Sequence, residues 1–319
     1  MKTEIFNSRQ IKKAAKLIKK GELVAFPTET VYGLGANALD KDAVKKIFVA
    51  KGRPSDNPLI IHIARKDDLE KIAKIEPSKK VAVERLIKKI WPGPLTIILN
   101  KRDKIPLEVT GGLNTVAVRM PKNKIALDLI KYSGCPIAAP SANLSGKPSG
   151  TCFQHVFEDF DGRVSGIIKS KSCEIGLEST VIDLTTKNPV LLRPGGVSFE
   201  MLKKVLTNAE IQANTHKAKT KSPGMKYKHY SPEAKIILFE GFAHQKIPLY
   251  VKKYEIMNKK VKVILSKNTK EFSKNLFKIF RECDKKKIDY ILISSVGETG
   301  IGLALMNRIR KAALEIIKK

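Results

Sequence analysis

The chain has little cysteine, and its few cysteines lie far apart. Cys135, Cys152, Cys173 and Cys283 form no C-x-x-C pair, whereas zinc sites and redox pairs usually place two cysteines within a few positions of each other. This spacing argues against a metal site or a redox pair and is typical of proteins from a reducing compartment. We expect each cysteine to be a small core residue.

Long apolar runs are absent as well. No stretch of the 319 residues approaches the roughly 20 apolar positions that a membrane-spanning helix needs. The N-terminal stretch Ser8–Gly21 mixes lysines with aliphatic residues, which predicts an amphipathic helix and not the apolar core of a secretion signal. The sequence therefore predicts a cytoplasmic protein without membrane contact.

Acidic and aromatic residues are scarce. The chain has 61 Lys and Arg against 31 Asp and Glu, a formal charge of +30, and only 6% aromatic residues. A lysine excess that is spread along the chain is equally typical of a solvated surface and of a surface that contacts nucleic acid. The charge therefore leaves RNA binding open, although the few aromatics count against sequence-specific stacking on bases.

The sequence also has no nucleophile triad and no paired acid and base carboxylates. It does contain Lys51-Gly-Arg-Pro-Ser-Asp-Asn-Pro-Leu59, which places two cations and an amide around a turn before the apolar run Ile60–Ile63. Arg offers a planar fork of donors and Lys a movable charge, so the pair suits phosphate oxygens. The polar turns Pro140–Asn143 and Leu192–Gly196 close two further apolar runs. Three polar turns at three strand ends predict one site.

Strand-like runs and amphipathic helices alternate along residues 1–206, which predicts an α/β sheet. Later runs follow one another with short connections, so we expect a mixed sheet and not a regular doubly wound one. The predicted strands are 23–26, 59–63, 95–99, 115–119, 137–139, 166–169, 181–184 and 190–192, and the predicted helices are 43–50 and 81–90.

Composition divides the chain into three parts, residues 1–206, 207–232 and 233–319. The middle part is polar, which is typical of a linker. Its Pro223–Tyr230 stretch, however, is rich in aromatic and reactive groups. It is either a tether that packs on a neighbouring domain or a lid over the site. The third part has a βαβαβα order that predicts a small parallel sheet. Its predicted elements are strands 235–239, 261–265 and 290–294 and helices 244–258, 270–286 and 301–318.

With these motifs in view, the chain resembles the YrdC family in its two-domain threonylcarbamoyl-AMP synthase form. The resemblance implies a twisted mixed-sheet α/β catalytic domain around a basic concave site, then a lid and a small Rossmann-like parallel α/β domain. It rests on the Lys51–Leu59 segment and on Phe26–Gly35, Trp91–Pro94, Thr115–Arg119, Ser141–Asn143, Glu178–Asp183, Ser222–Pro232 and Gly300–Arg308.

The resemblance also implies an activity. Such a nucleotidyltransferase joins L-threonine, bicarbonate or CO2 and ATP into L-threonylcarbamoyl-AMP and pyrophosphate. The product would pass to a tRNA threonylcarbamoyl transferase complex that modifies the tRNA adenosine adjacent to the anticodon. Mg²⁺ is expected with ATP because it prefers phosphate oxygens, and no carboxylate cluster predicts a metal cage within the protein.

The same resemblance implies the site residues. For catalysis it indicates Lys51 and Arg53. For ATP binding it indicates Arg53, Asn57, Thr115, Ser141, Asn143, Ser149, Arg193 and Tyr227, with Tyr230 as an alternative to Tyr227. For threonine binding it indicates Thr30, His62, Arg119, Ala139 and Ser179.

Two other functions stay open on the residues alone. The first is a non-catalytic basic module that binds tRNA or ribosomal RNA, because affinity for phosphate is similar for ATP and RNA. A weak tRNA contact would also be compatible with the enzyme. The second is a carbamoyl-transferring maturation factor on the same fold, which would need a further substrate or metal domain. The spacing of cysteine and histidine indicates no zinc-finger element of that kind.

Overall fold

The computed structural model describes residues 2–206, the backbone of residues 212–213, and residues 231–318. We call residues 2–206 the N-terminal segment and residues 231–318 the C-terminal segment. The helices of the N-terminal segment are α1 Ile11–Lys19, α2 Lys41–Lys51, α3 Asp68–Ile72, α4 Lys80–Ile90, α5 Leu107–Thr110, α6 Lys124–Ser133, α7 Phe153–Phe160 and α8 Phe199–Val205.

One large mixed sheet carries the N-terminal segment. Its strand order is β1-β9-β2-β3-β8-β4-β7-β6-β10-β11-β12, with β5 beside β6. β4 runs parallel to β7 and antiparallel to β8, so the predicted mixed sheet is confirmed. The strands are β1 Glu4–Phe6, β2 Val24–Phe26, β3 Gly33–Asn37, β4 Ile60–His62, β5 Ala73–Lys74, β6 Leu95–Lys101, β7 Thr115–Arg119, β8 Ile137–Ala139, β9 Gly166–Ile168, β10 Thr180–Asp183, β11 Val190–Arg193 and β12 Gln212–Ala213.

The C-terminal segment has its own sheet, in which every pair of neighbouring strands is parallel, in the order β14-β15-β13-β16. The predicted small parallel α/β unit is therefore confirmed, whereas the domain limits at 206 and 233 stay a prediction. Its elements are β13 Lys235–Glu240, a 3-10 turn Gly241–Lys246, α9 Ile247–Ile256, β14 Val261–Ile264, α10 Thr269–Lys285, β15 Tyr290–Ser294, α11 Gly302–Ala312 and β16 Glu315–Lys318.

The last predicted helix, 301–318, is wrong in its second half. α11 ends at Ala312, and Glu315–Lys318 forms β16, which pairs with β13. The Leu314 amide donates to the Ile236 carbonyl at 2.8 Å. Without β16, one edge of β13 would be left unpaired, so pairing with a distant strand overrides the local helical pattern.

Strand β3 was not predicted, because its sequence Gly-Leu-Gly-Ala-Asn has no strand-like composition. A Cβ placed on Gly35 would lie 2.7 Å from Ile137 Cγ2 and 2.8 Å from the Phe26 ring. Only glycine lets the backbone of β3 approach β2 and β8 this closely. The strand is thus determined by packing across the sheet.

Helix α2 presents the Lys51–Leu59 segment to the sheet. Asp40 caps its start, accepting hydrogen bonds at 3.0 Å from the amides of Asp42 and Ala43. Its end is set by Gly52, whose φ of 59° is the left-handed conformation that glycine adopts without strain. The chain then turns and leads into β4, which lies in the middle of the large sheet between β8 and β7.

Apolar side chains from both faces of the large sheet fill the main cores. One cluster includes Tyr32, Ile47, Ile61 and Leu99, and a second packs α1 and α6 against Phe26. Within the described ranges, no helix is long and apolar enough to cross a membrane.

Candidate active site

A cleft is lined by residues of β4, β7, β8 and β11 and by the segments that follow β2 and β8. Nine of the predicted site residues line it: Thr30, Arg53, His62, Arg119, Ala139, Ser141, Asn143, Ser179 and Arg193. Its remaining lining was not predicted as ligands and consists of Thr28, Val31, Tyr32, Gly33, Ile60, Pro140, Lys147 and Glu178. The structure thus brings together residues from distant motifs of the chain.

Sheet register explains how His62 and Arg119 meet. β4 and β7 are parallel, and His62 is the register partner of Arg119. On the other side of β4, Ile60 pairs with Ala139. Because neighbouring strands lie roughly 4.8 Å apart, these three predicted threonine ligands are held on adjacent strands of a rigid sheet.

His62 is a buried, uncharged ring. Its Nδ1 donates to the Ile60 carbonyl at 3.2 Å, and its ring meets Phe26 edge-on. Burial, followed by the charge of Arg119, lowers the pKa of His62 to about 3. At neutral pH the imidazole therefore adds no positive charge beside the arginine, and it can offer a hydrogen bond to a neutral group.

Arg119 shares its buried position with a carboxylate. Its Nη2 lies 2.7 Å from Glu29 Oε1, and both side chains are almost fully buried. The contact is ionic, since its geometry does not satisfy a hydrogen bond. Arg119 Nε also donates to the Gly93 carbonyl at 3.3 Å. Glu29 thus neutralises and orients the guanidinium, which still lines the cleft with part of its fork.

Arg53 and Asn57 lie on the turn after α2. Arg53 Nη2 donates to the carbonyls of Asn57 and Pro58, both at 3.3 Å, and its side chain lines the cleft. Asn57 is buried and does not line the cleft. Its amide nitrogen and oxygen have no hydrogen-bond partner among the described residues. A buried amide in that state is suited to a ligand that satisfies it.

Lys51 is placed differently from a freely exposed phosphate ligand. It is buried, and its Nζ donates to the carbonyl of Ser141 at 2.6 Å and to that of Asn143. Burial, followed by the charge of Arg53, holds the pKa of Lys51 well below its usual range. The lysine lies under the Ser141–Asn143 turn and is absent from the cleft lining. Its predicted catalytic role remains a prediction.

The Ser141–Asn143 turn is held by its own side chains. Ser141 Oγ donates to Asn143 Oδ1 at 2.6 Å, and Asn143 Nδ2 donates to the carbonyls of Leu144 and Lys147 at 2.8 and 2.9 Å. Ser149, further along, does not line the cleft directly; its Oγ donates to Glu178 Oε1 at 2.6 Å. These bonds fix the shape of a hydroxyl-rich turn that suits phosphate.

Ser179 and Arg193 form another part of the cleft wall. Arg193 donates from Nε and Nη2 to the Ser179 carbonyl at 3.1 and 3.0 Å, and from Nη2 to Ser179 Oγ at 3.2 Å. The two can approach because Gly195 has no side chain: a Cβ there would lie 2.3 Å from the Glu178 carbonyl oxygen. Thr96 completes the set through a 2.8 Å hydroxyl contact with Ser179.

Glu178 lines the cleft although it was not predicted as a ligand. Although burial opposes ionisation, Arg308 and Arg193 together lower the pKa of Glu178. It therefore stays a carboxylate, with Ser149 on one oxygen and Arg308 on the other. Arg308 comes from the C-terminal segment. The Gly300–Arg308 motif was the feature of the sequence that could have indicated a role for this arginine.

The remaining predicted residues differ in position. Thr30 lines the cleft, and its Oγ1 lies 2.7 Å from Thr28 Oγ1. Thr115 lies at the opposite end of β7 from Arg119 and is absent from the cleft lining. Tyr227, its alternative Tyr230 and the whole Pro223–Tyr230 stretch lie outside the described residues. Their roles stay predictions.

The cleft is chemically a site for anions. Three arginines, several hydroxyls and a neutral imidazole surround it, which suits holding and neutralising negative groups. Within the part of the chain that the structure describes, no three His, Cys, Asp or Glu side chains are grouped as a metal site. The arrangement suits positioning of charged reactants better than nucleophilic catalysis by a side chain.

Comparisons with known proteins cover nearly the whole chain. Residues 16–195 match the family described as Telomere recombination, and residues 197–314 match the one described as Threonylcarbamoyl-AMP synthase, C-terminal domain. The chain is 51% identical to the Threonylcarbamoyl-AMP synthase of Pyrococcus abyssi (strain GE5 / Orsay), with 95% of this chain and 94% of that protein aligned. It is 45% identical to the Threonylcarbamoyl-AMP synthase of Bacillus subtilis (strain 168), with 96% and 94% aligned.

A solved structure agrees with the sequence comparisons. The crystal structure of P. abyssi Sua5 complexed with L-threonine superimposes with a TM-score of 0.94 at 49% identity. The match covers 99% of this chain and 100% of that one. Both sheets and the contact between them therefore have a counterpart in a known fold.

Proposed function

Because the chain belongs to the threonylcarbamoyl-AMP synthase family of enzymes, we propose that it makes L-threonylcarbamoyl-AMP and pyrophosphate from L-threonine, bicarbonate or CO2, and ATP. The observation that carries the proposal is the cleft itself, where an arginine suited to an amino-acid carboxylate lies close to arginines suited to phosphates. One cleft can then hold both substrates side by side.

The threonine half of the cleft is formed by β4, β7 and β8. Arg119 binds the α-carboxylate of threonine through its fork of donors, while Glu29 keeps the guanidinium oriented. His62, Ala139 and Thr30 contact the rest of the amino acid. The relative from P. abyssi was crystallised with L-threonine, which supports the same substrate here.

The nucleotide half is formed by the turns around it. Arg53 and Arg193 neutralise phosphate oxygens, and Ser141 and Asn143 offer hydroxyl and backbone groups. Asn57, whose buried amide has no partner among the described residues and lies outside the cleft lining, stays a predicted nucleotide ligand. Lys51 holds the Ser141–Asn143 turn in place from below.

The reaction proceeds in two bond-forming steps. The threonine amine attacks the carbon of CO2, or of bicarbonate with loss of water, and gives up a proton to form a carbamate. A carbamate oxygen then attacks the α-phosphorus of ATP, and the bond to the β-phosphate breaks to release pyrophosphate. In this second step both the attacking and the leaving groups are anions, so nearby arginines lower the barrier by stabilising charge.

Mg²⁺ enters this scheme with the nucleotide. Both carboxylates close to the cleft are already engaged, Glu29 with Arg119 and Glu178 with Arg308 and Ser149. The described residues thus offer no dedicated cage, which fits a Mg²⁺ ion held mainly by phosphate oxygens and water. The ion would supply charge neutralisation to the triphosphate.

The product is a mixed anhydride of a carbamate and AMP, which suits transfer of the threonylcarbamoyl group. We propose that it supplies, in the cytoplasm, a transferase complex that modifies the tRNA adenosine adjacent to the anticodon. A role as a non-catalytic RNA-binding module is less well supported, because the three arginines converge on one cleft instead of spreading over an exposed face. A weak tRNA contact through surface lysines is compatible with the proposal.

Pyrophosphate release tests the proposed function. We expect release from ATP only when L-threonine and bicarbonate are both present, with a product of the mass of threonylcarbamoyl-AMP. Alanine and glycine serve as controls, because they lack the side-chain hydroxyl. Equal pyrophosphate release with either control would refute the proposed specificity, and RNA binding without any release would favour the alternative.

A further inference from the structure

Arg308 in α11 reaches from the C-terminal segment to the back of the cleft. Its side chain is fully buried. Nε donates to Glu178 Oε2 at 2.9 Å, and Nη1 donates to the Pro194 carbonyl at 3.0 Å. Glu178 in turn accepts from Ser149. One guanidinium therefore connects the turn that follows Arg193 with the carboxylate that holds Ser149.

Arg281 in α10 makes a second connection of the same kind. Nε and Nη2 donate to the Pro148 carbonyl at 3.1 and 2.7 Å, and Nη1 and Nη2 donate to the two carboxylate oxygens of Asp159 at 3.2 and 2.6 Å. Asp159 Oδ2 also accepts from the Leu144 amide at 3.3 Å. Arg281 thus fixes the turn of residues 143–149 at both of its ends.

Apolar packing places these arginines firmly. Val31, next to Thr30, and Leu177, next to Glu178, belong to the hydrophobic cluster of the C-terminal segment. The backbones also touch, since a Cβ on Gly176 would lie 2.3 Å from the Lys274 carbonyl oxygen. The rear wall of the cleft is therefore continuous with the core of the C-terminal segment.

We propose that Arg308 and Arg281 are positioning residues for ATP, through which the C-terminal segment sets the distance between the two turns that hold the nucleotide. The proposal rests on the proposed function. The hydrogen bonds described above for the two arginines reach the turn of residues 143–149, Glu178 and Pro194, whereas His62 and Arg119 lie on β4 and β7. Loss of either arginine should therefore weaken ATP binding far more than threonine binding, even though Ser179, a predicted threonine ligand, adjoins Glu178.

Lysine substitutions are the sharpest test. Removing one partner of a buried ion pair leaves an uncompensated charge and often prevents folding, whereas lysine keeps the charge and removes the rigid fork that bridges two groups. In the full-length protein, R308K and R281K should each raise the KM for ATP about tenfold, as expected for the loss of a charge-assisted hydrogen bond. The Kd for L-threonine, measured by calorimetry without ATP, should stay within about twofold of wild type.

Matched controls lie on the same helices. Arg310 in α11 pairs with Glu240 and Glu298 near the surface, and Lys278 in α10 is exposed beside Glu282. R310K and K278M should leave the KM for ATP unchanged. Both controls keep the same helices and the same fold, so they separate positioning from general disturbance.

The outcomes are distinct. If wild type releases no threonine-dependent pyrophosphate, the proposed function fails, and ATP binding measured by calorimetry still compares the variants. If wild type is active and both lysine variants match the controls, the positioning role is overturned. It is also overturned if threonine binding weakens as much as ATP binding does. The same holds if the variants lose only folded protein, or if neither lysine variant folds. When one of them does not fold, the other decides.

Discussion

His62 combines complete burial with a position in the cleft, and its pKa of about 3 has a consequence for stability. In the unfolded chain the imidazole takes up a proton below its ordinary pKa of roughly 6.5, whereas in the folded protein it stays neutral down to about pH 3. The unfolded state therefore binds more protons between these values. Stability attributable to His62 is fully present above pH 6.5 and is lost as the pH falls.

We predict that His62→Gln removes this pH dependence. Between pH 7 and pH 5, wild type should lose up to about 2 kcal/mol of unfolding free energy relative to the variant, since one pKa unit corresponds to about 1.4 kcal/mol. Urea unfolding of both proteins at several pH values measures the difference. A constant difference across that range would show that the folded imidazole titrates normally.

Arg53 lines the cleft on a turn and is only partly buried. We predict that Arg53→Ala lowers kcat/KM by about 30- to 1,000-fold, or roughly 2–4 kcal/mol of transition-state stabilisation. Thermal unfolding should change little. Arg65→Ala is the control, because Arg65 is exposed beside Asp67 at 3.7 Å. Near-normal turnover of the Arg53 variant would assign this arginine a peripheral role.

At the scale of elements, the end of α2 determines where the cationic turn begins. Gly52 adopts a φ of 59°, and the Arg53 amide donates to the Phe48 carbonyl at 2.9 Å across it. No atom lies within 4 Å of a Cβ placed at Gly52. A substitution there therefore meets only the conformational cost of the left-handed backbone.

We predict that Gly52→Ala destabilises the protein by about 1–2 kcal/mol, the cost of a left-handed residue with a side chain. Gly297→Ala is the control, because that glycine also has open space around it and its φ lies outside the left-handed region. Denaturant unfolding compares the two. Equal midpoints for both variants would indicate that the end of α2 rearranges without cost.

In the molecule as a whole, two helices of the C-terminal segment support the site of the N-terminal segment from behind. Buried ion pairs of Arg281 with Asp159 and of Arg308 with Glu178 cross between the segments, and Lys285 pairs with Glu158 at the rim. The N-terminal segment alone would leave Asp159 and Glu178 without these arginine partners. The C-terminal segment therefore contributes to the electrostatics of the cleft without lining it.

We predict that Gly176→Ala is more damaging than Gly52→Ala. Gly176 has a φ of 79°, and its added Cβ would also meet Lys274 Cα at 2.5 Å and the carbonyl oxygen at 2.3 Å. Backbone strain and overpacking together should cost about 2–5 kcal/mol, and the KM for ATP should rise because the rear wall shifts. Urea unfolding and ATP titration measure both effects. A smaller loss than for Gly52→Ala would mean that the segments separate easily.

Features that depend on neighbouring residues and on motif chemistry could be predicted from the amino-acid sequence alone. The apolar runs predicted β7 and β8 with their observed limits. The three polar turns predicted one phosphate-binding site, and Arg53, Ser141 and Arg193 line the same cleft. Periodicity and turn chemistry act over a few residues, so they can be recognised without knowing the fold.

Other features became visible only in the tertiary structure. It placed Lys51, predicted to act on phosphate, beneath the Ser141–Asn143 turn and outside the cleft lining. It also formed β3 from a glycine-rich run and β16 from the end of a predicted helix. It also brought Arg308 to Glu178 across 130 positions of the chain. Each of these features depends on the burial and pairing of groups that are distant in the sequence, and a local sequence pattern does not specify such contacts.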